Sequence, residues 1–147
     1  MKKTILAALA LLVCVSAAAQ LNVKKKQAAT ETIATVRSGA VKLVARDSVI
    51  CAIFPSTNQF DDAGVFFLGK GAASAIETLD DMVALIAEGE IGSGVDVEQA
   101  GKTVRLRVDK QLGVRVLYLD FPGQAGLIST SKGELEKMKS ALVKWGK

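Results

Sequence analysis

Apolar and polar residues alternate along this chain in two rounds, and each round ends in a helical period. In the first, Thr32 to Arg37 runs into the turn signal Ser38-Gly39, and Val41-Lys42-Leu43-Val44-Ala45-Arg46 alternates as a return strand. Val49 to Phe54 is apolar throughout, the pattern of a strand covered on both faces. A loop from Ser56 to Asp62 leads to a fourth strand expected over Gly64 to Leu68. Ser74-Ala75-Ile76-Glu77 then has capping-box spacing, in which the two polar side chains satisfy each other's free backbone donors. It predicts a helix over about 75–88 that buries Ile76, Leu79, Val83 and Ile86 and stops at Gly89.

The second round follows the linker Gly89-Glu90-Ile91-Gly92-Ser93-Gly94. Val95 and Val97 alternate with Asp96 and Glu98, and strands are expected over Val104 to Val108, Val114 to Phe121 and Ala125 to Ser129. Ser131-Lys132-Gly133-Glu134 repeats the capping box and predicts a helix over about 132–145 with Leu135, Met138, Leu142 and Trp145 on one face. The only two prolines close equivalent runs, Pro55 after Val49 to Phe54 and Pro122 after Val116 to Phe121. The differences fall between elements: the loop after Pro55 and the approach to the first capping box are longer in the first round, and the turn between second and third strands is longer in the second. The chain reads as internally duplicated, with repeats at 31–89 and 94–147. Four short strands and a helix bury too little alone, so the expected fold is α+β, two tandem ββββα units with antiparallel sheets sharing one core in a single domain over 31–147.

Tandem units of this kind resemble the PUR, Whirly and related coactivator families. The local likeness lies in the turn Pro122-Gly123-Gln124-Ala125-Gly126, the short strand after it, and the helix Glu134-Leu135-Glu136-Lys137-Met138-Lys139-Ser140-Ala141-Leu142, about a quarter of the chain. The resemblance implies single-stranded nucleic-acid binding on an exposed sheet whose aromatic side chains stack bases and whose basic ones meet phosphates. Lys42, Lys102, Arg105, Arg107 and Arg115 are the candidate cations, with Tyr118 and Phe121 beside them.

The amino-terminal residues carry a different message. Lys2 and Lys3, the apolar stretch Ile5 to Val15 and Ala17-Ala18-Ala19 have the form of a secretory leader over residues 1–19, followed by a polar lead-in at 20–30. The expected location is extracytoplasmic, periplasmic or secreted, with no transmembrane span. In a second reading Cys14 accepts a lipid and residues 15–30 are a tether, although Val13 stands where a small residue is normal. Loss of the leader leaves 17 of the 19 basic side chains against 15 acidic ones, a balance unlike that of a dedicated polyanion binder. It also leaves Cys51 as the only cysteine, so no internal disulfide is expected, and its apolar flanks predict a buried, slowly reacting thiol.

Candidate chemistry is sparse. The sequence contains no histidine, which removes imidazole triads and most common zinc sites, and no catalytic or metal-binding set is assigned. Gly69-Lys70-Gly71-Ala72-Ala73-Ser74 stands where a dinucleotide fingerprint would, but it lacks the final glycine and a crossover unit; no cofactor is expected, and Lys70 with the helix start is at most a small-anion site. Asp61-Asp62 and Asp80-Asp81 are adjacent carboxylates, and since neighbours on a helix point apart, the second pair reads as a solvated face rather than an acid and base pair. Charge is segregated: nine acids and Lys70 lie between Asp61 and Glu98, while five bases and Asp109 lie between Lys102 and Arg115. The expected function is a non-enzymatic binding module for a macromolecule or surface component. Nucleic-acid binding is the alternative and an unrecognised enzyme the third reading; oligomeric state is left open.

Overall fold

The computed structural model describes residues 29–147, so the leader and nearly all the lead-in lie outside the described residues. β1 (Glu31–Val36), β2 (Val41–Arg46), β3 (Val49–Phe54) and β4 (Gly64–Lys70) precede α1 (Gly71–Glu88). β5 (Gly94–Gln99), β6 (Lys102–Gln111), β7 (Val114–Asp120) and β8 (Ser129–Ser131) precede α2 (Lys132–Trp145). Each set of strands is one antiparallel sheet in sequence order, which makes the protein an α+β fold of two ββββα units.

The tight hairpins follow from local backbone chemistry. Asp47-Ser48, Ala100-Gly101 and Leu112-Gly113 all have positive φ at both central positions, the requirement of a two-residue type I′ turn whose twist matches that of the strands. The second and third strands are therefore joined by two residues in both units. The extra residues assigned from sequence to a longer turn instead prolong the ladder, with Gln111 opposite Val114.

The two units share a core. Leu43, Ile50, Phe54 and Phe66 of the first sheet join Val108, Leu117 and Leu119 of the second and the buried stripes of both helices in one contiguous cluster. α2 begins as expected: the Ser131 hydroxyl accepts from Glu134 N at 3.4 Å, and the Glu134 carboxylate accepts from Ser131 N at 3.2 Å. α1 does not. It starts directly off β4 at Gly71, whose amide donates to Ser48 O at 2.7 Å, so Ser74 is an interior residue and its capping box is not formed. The buried stripe shifts accordingly to Ala75, Leu79, Met82 and Ile86, with Ile76 and Val83 half-buried. In α2, Leu135, Met138 and Leu142 are buried, whereas Trp145 lies at the rim and donates from Nε1 to Glu31 at 3.0 Å.

Pro55 and Pro122 both stand just past the third strand of their unit, and the loops they open pack on each other. The Asp61 carboxylate accepts from Ala125 N at 3.1 Å and Gly126 N at 2.6 Å, and also from Ser56 and Asn58 within its own loop. Thr57 and Leu127 exchange two further bonds. The approach is so close that a Cβ on Gly126 would lie 2.0 Å from Ser56 Oγ. This junction holds Ala125 to Ile128 in a loop, so the last strand is Ser129–Ser131 rather than Ala125 to Ser129.

The candidate cleft along the fourth strand

Among the described residues β4 is an edge strand, paired with β3 on one side only. An edge presents unpaired backbone N–H and C=O groups, and such groups are costly to leave unsatisfied away from water. At Phe67 both are taken by one side chain. Gln99, at the end of β5, accepts from Phe67 N at 3.0 Å through Oε1 and donates to Phe67 O at 2.9 Å through Nε2. Its carboxamide occupies the place of a residue on a neighbouring strand.

The bridge divides the space along β4 into two cavities that meet at Phe67 and Gln99. One, of about 690 Å³, lies on the inward face of the first sheet, between Phe66 and Leu68 of β4, Met82 and Leu85 of α1, and Val95, Val97 and Leu106 of the second sheet. The other, of about 980 Å³, lies on the outward face, over Val49, Cys51, Val65 and Phe67, and is closed by Phe60, Phe121 and Gln124. Large apolar side chains are unusually open here: Phe60 is 86% exposed, Val65 54% and Phe67 40%. Contiguous exposed apolar surface of this kind marks interaction sites.

The outward half of β3 is therefore not covered as its sequence suggests. Ile50, Ala52 and Phe54 are buried, but Val49, Cys51 and Ile53 are only half-buried. The expectation of a buried Cys51 is corrected to a half-buried thiol in the wall of the larger cavity, with burial pushing its pKa up.

The six cations singled out in the sequence are dispersed. Lys42 lies on the outward face of the first sheet, opposite Ile53. Lys70 and Lys102 line the smaller and larger cavities respectively. Arg105 and Arg107 point outward from the second sheet as their period of two demands, but each faces acids: Arg105 is 3.9 Å from Asp96, and Arg107 is 2.8 Å from Asp109 and 3.7 Å from Asp120. The Arg107 guanidinium also covers the Tyr118 ring at 5.0 Å from its centroid. Arg115 takes the other side of the sheet and donates to the carbonyls of Ile86, at 2.6 Å, and Gly89, where it satisfies the carboxyl end of α1.

Asp96, Glu98, Asp109 and Asp120 thus outnumber Arg105 and Arg107 on that outward face, with Glu98 bonded to the Thr103 hydroxyl. On this geometry the purified protein is expected to show no salt-sensitive binding to a single-stranded oligonucleotide in fluorescence anisotropy at micromolar concentration. Binding that weakened with salt and vanished in the Arg105→Ala, Arg107→Ala double variant would instead make this face the site.

Gln99 was not among the residues singled out from sequence, where it is one more polar position at the end of an alternating strand. Compared with protein families, characterised proteins and solved structures, the chain matches none.

Proposed function

We propose that the protein is a non-enzymatic binding module working outside the cytoplasm, which holds a segment of another macromolecule in the cleft along β4. The observation that carries this reading is the pair of hydrogen bonds by which Gln99 stands in for a neighbouring strand at Phe67, between two largely apolar cavities. Such walls suit recognition by burial and backbone pairing. The compartment rests on the leader-like residues 1–19. Among the described residues, no helix is long and apolar enough to cross a membrane.

Site-specific photocrosslinking in the cells that make the protein tests the proposal. A photoreactive phenylalanine analogue at Phe60 or Val65 is expected to give discrete adducts of higher mass. The same group at Leu112, fully exposed at the β6–β7 turn, is expected to give none. Adducts equal at all three positions, or absent from the cleft, would remove the reading.

A further inference from the structure

We propose that the occupant of the cleft is an extended peptide of a partner protein, a short apolar run flanked by lysine or arginine, which pairs with β4 as an added strand after displacing the Gln99 carboxamide. This rests on the binding reading above and specifies its ligand. Backbone bonding comes first. In an antiparallel pair, alternate residues direct their N–H and C=O to the same side, so Val65 offers its groups to the side where Gln99 holds those of Phe67. A peptide residue opposite Phe67 replaces one donor and one acceptor by another such pair, and the exchange conserves hydrogen bonds. β4 has seven residues, which span about 23 Å, room for a peptide of similar length.

Side chains give the apolar character. Successive residues of an added strand point to opposite faces, and here a cavity lies on each. Those facing inward meet Leu68, Met82 and Leu85; those facing outward meet Val65 and Phe60. An alternating apolar and polar strand would waste one of these walls, whereas a continuous apolar run fills both.

Charge sets the flanks. Asp81 of α1 and Glu98 of β5 line the inward cavity, Glu77 and Glu88 flank Asp81 at helical spacing on α1, and among the described residues none of the four is in an ion pair. Asp62 adds a carboxylate at the outward cavity; Lys70 and Lys102 are the opposing cations. The excess of carboxylates favours a cationic peptide and disfavours a phosphate-bearing strand.

The test uses random seven-residue peptides displayed on phage as the probe, selected on the purified protein. Enriched peptides are expected to hold at least three consecutive apolar residues with a neighbouring lysine or arginine. Bound as synthetic peptides, they should slow thiol labelling of Cys51, read by mass spectrometry. Methylating the peptide nitrogen that meets Phe67 O should weaken binding about tenfold, and Gln99→Ala should tighten it by a similar factor. A Gln99→Ala protein that dimerises without binding peptide would show that Gln99 only guards the edge against a second copy, and would overturn the proposal. So would enrichment of no peptide, or of peptides indifferent to N-methylation that leave Cys51 labelling unchanged. If these results coincide with cleft-specific photocrosslinks, the peptide assignment alone fails and the cleft takes a macromolecule of other chemistry; if the crosslinks are missing too, the binding reading falls with it.

Discussion

Leu79→Ala is expected to destabilise the entire protein by about 3 kcal/mol and to leave one cooperative unfolding transition. Leu79 lies on α1 in the first unit and is fully buried in a cluster that draws on both sheets and both helices. Removing its branched end leaves a cavity that such a close-packed interior closes only in part. Against a total stability of about 5–15 kcal/mol this is a large fraction. The shared core makes the loss global. The single tryptophan, Trp145, reports from α2 in the second unit, so its fluorescence midpoint in urea should fall together with the far-ultraviolet circular dichroism of the whole chain. A fluorescence midpoint that stayed at the wild-type value while the dichroism split into two steps would mean two independent cores.

Where local chemistry is decisive, the fold was legible. Both prolines, the stop at Gly89 and the Ser131–Glu134 capping box act within a few residues, and the structure has them where the sequence puts them. The errors arise where tertiary contacts override a local signal. Ser74 has the spacing of a cap, yet the chain turns directly from β4 into α1, and Gly69 packs so closely that an added Cβ would lie 2.5 Å from Ser74 Oγ. The apolar run of β3 reveals that both faces repel water but not what covers them. One face meets the core and the other the larger cavity. The cleft itself was illegible for a simpler reason. Its defining contact joins Phe67 to Gln99 across 32 positions, and neither residue carries a periodic or compositional mark of it. The arginines show the converse. Their direction was readable from the period of two, but the acids opposite them come from cross-strand register, which a single strand does not encode.

Replacing Glu134 should have the second largest effect, because one carboxylate serves both helix initiation and the union of the two units. It accepts from Arg37 Nε and Nη2, each at 2.7 Å, from Ser131 N at 3.2 Å and from the Thr130 hydroxyl at 3.1 Å. Arg37, in the β1–β2 turn of the first unit, also donates to Ser129 O at 2.6 Å. Glu134→Ala removes the capping box and leaves Arg37 without its main partner, at an expected cost of about 2 kcal/mol; the Arg37 side chain is 38% exposed, so screening limits the ionic share. Burial pulls the Glu134 carboxyl up, but the Arg37 hydrogen bonds, the Ser131 amide, the Arg37 charge and the Thr130 hydroxyl together hold it below its ordinary value of 4.5. A carboxyl depressed in the folded state takes up its proton more readily when the chain is unfolded. Its stabilisation is therefore complete above the ordinary value and is lost as pH falls through the lower folded one. Urea midpoints at neutral pH and in acid, below 4.5, should show the wild type losing this contribution. Glu134→Gln keeps an acceptor for Ser131 N and should be less stable than wild type at neutral pH, with a shallower decline in acid. Equal declines in the two proteins would place the acid sensitivity in other carboxylates and leave the Arg37 pair without a measurable part in joining the units.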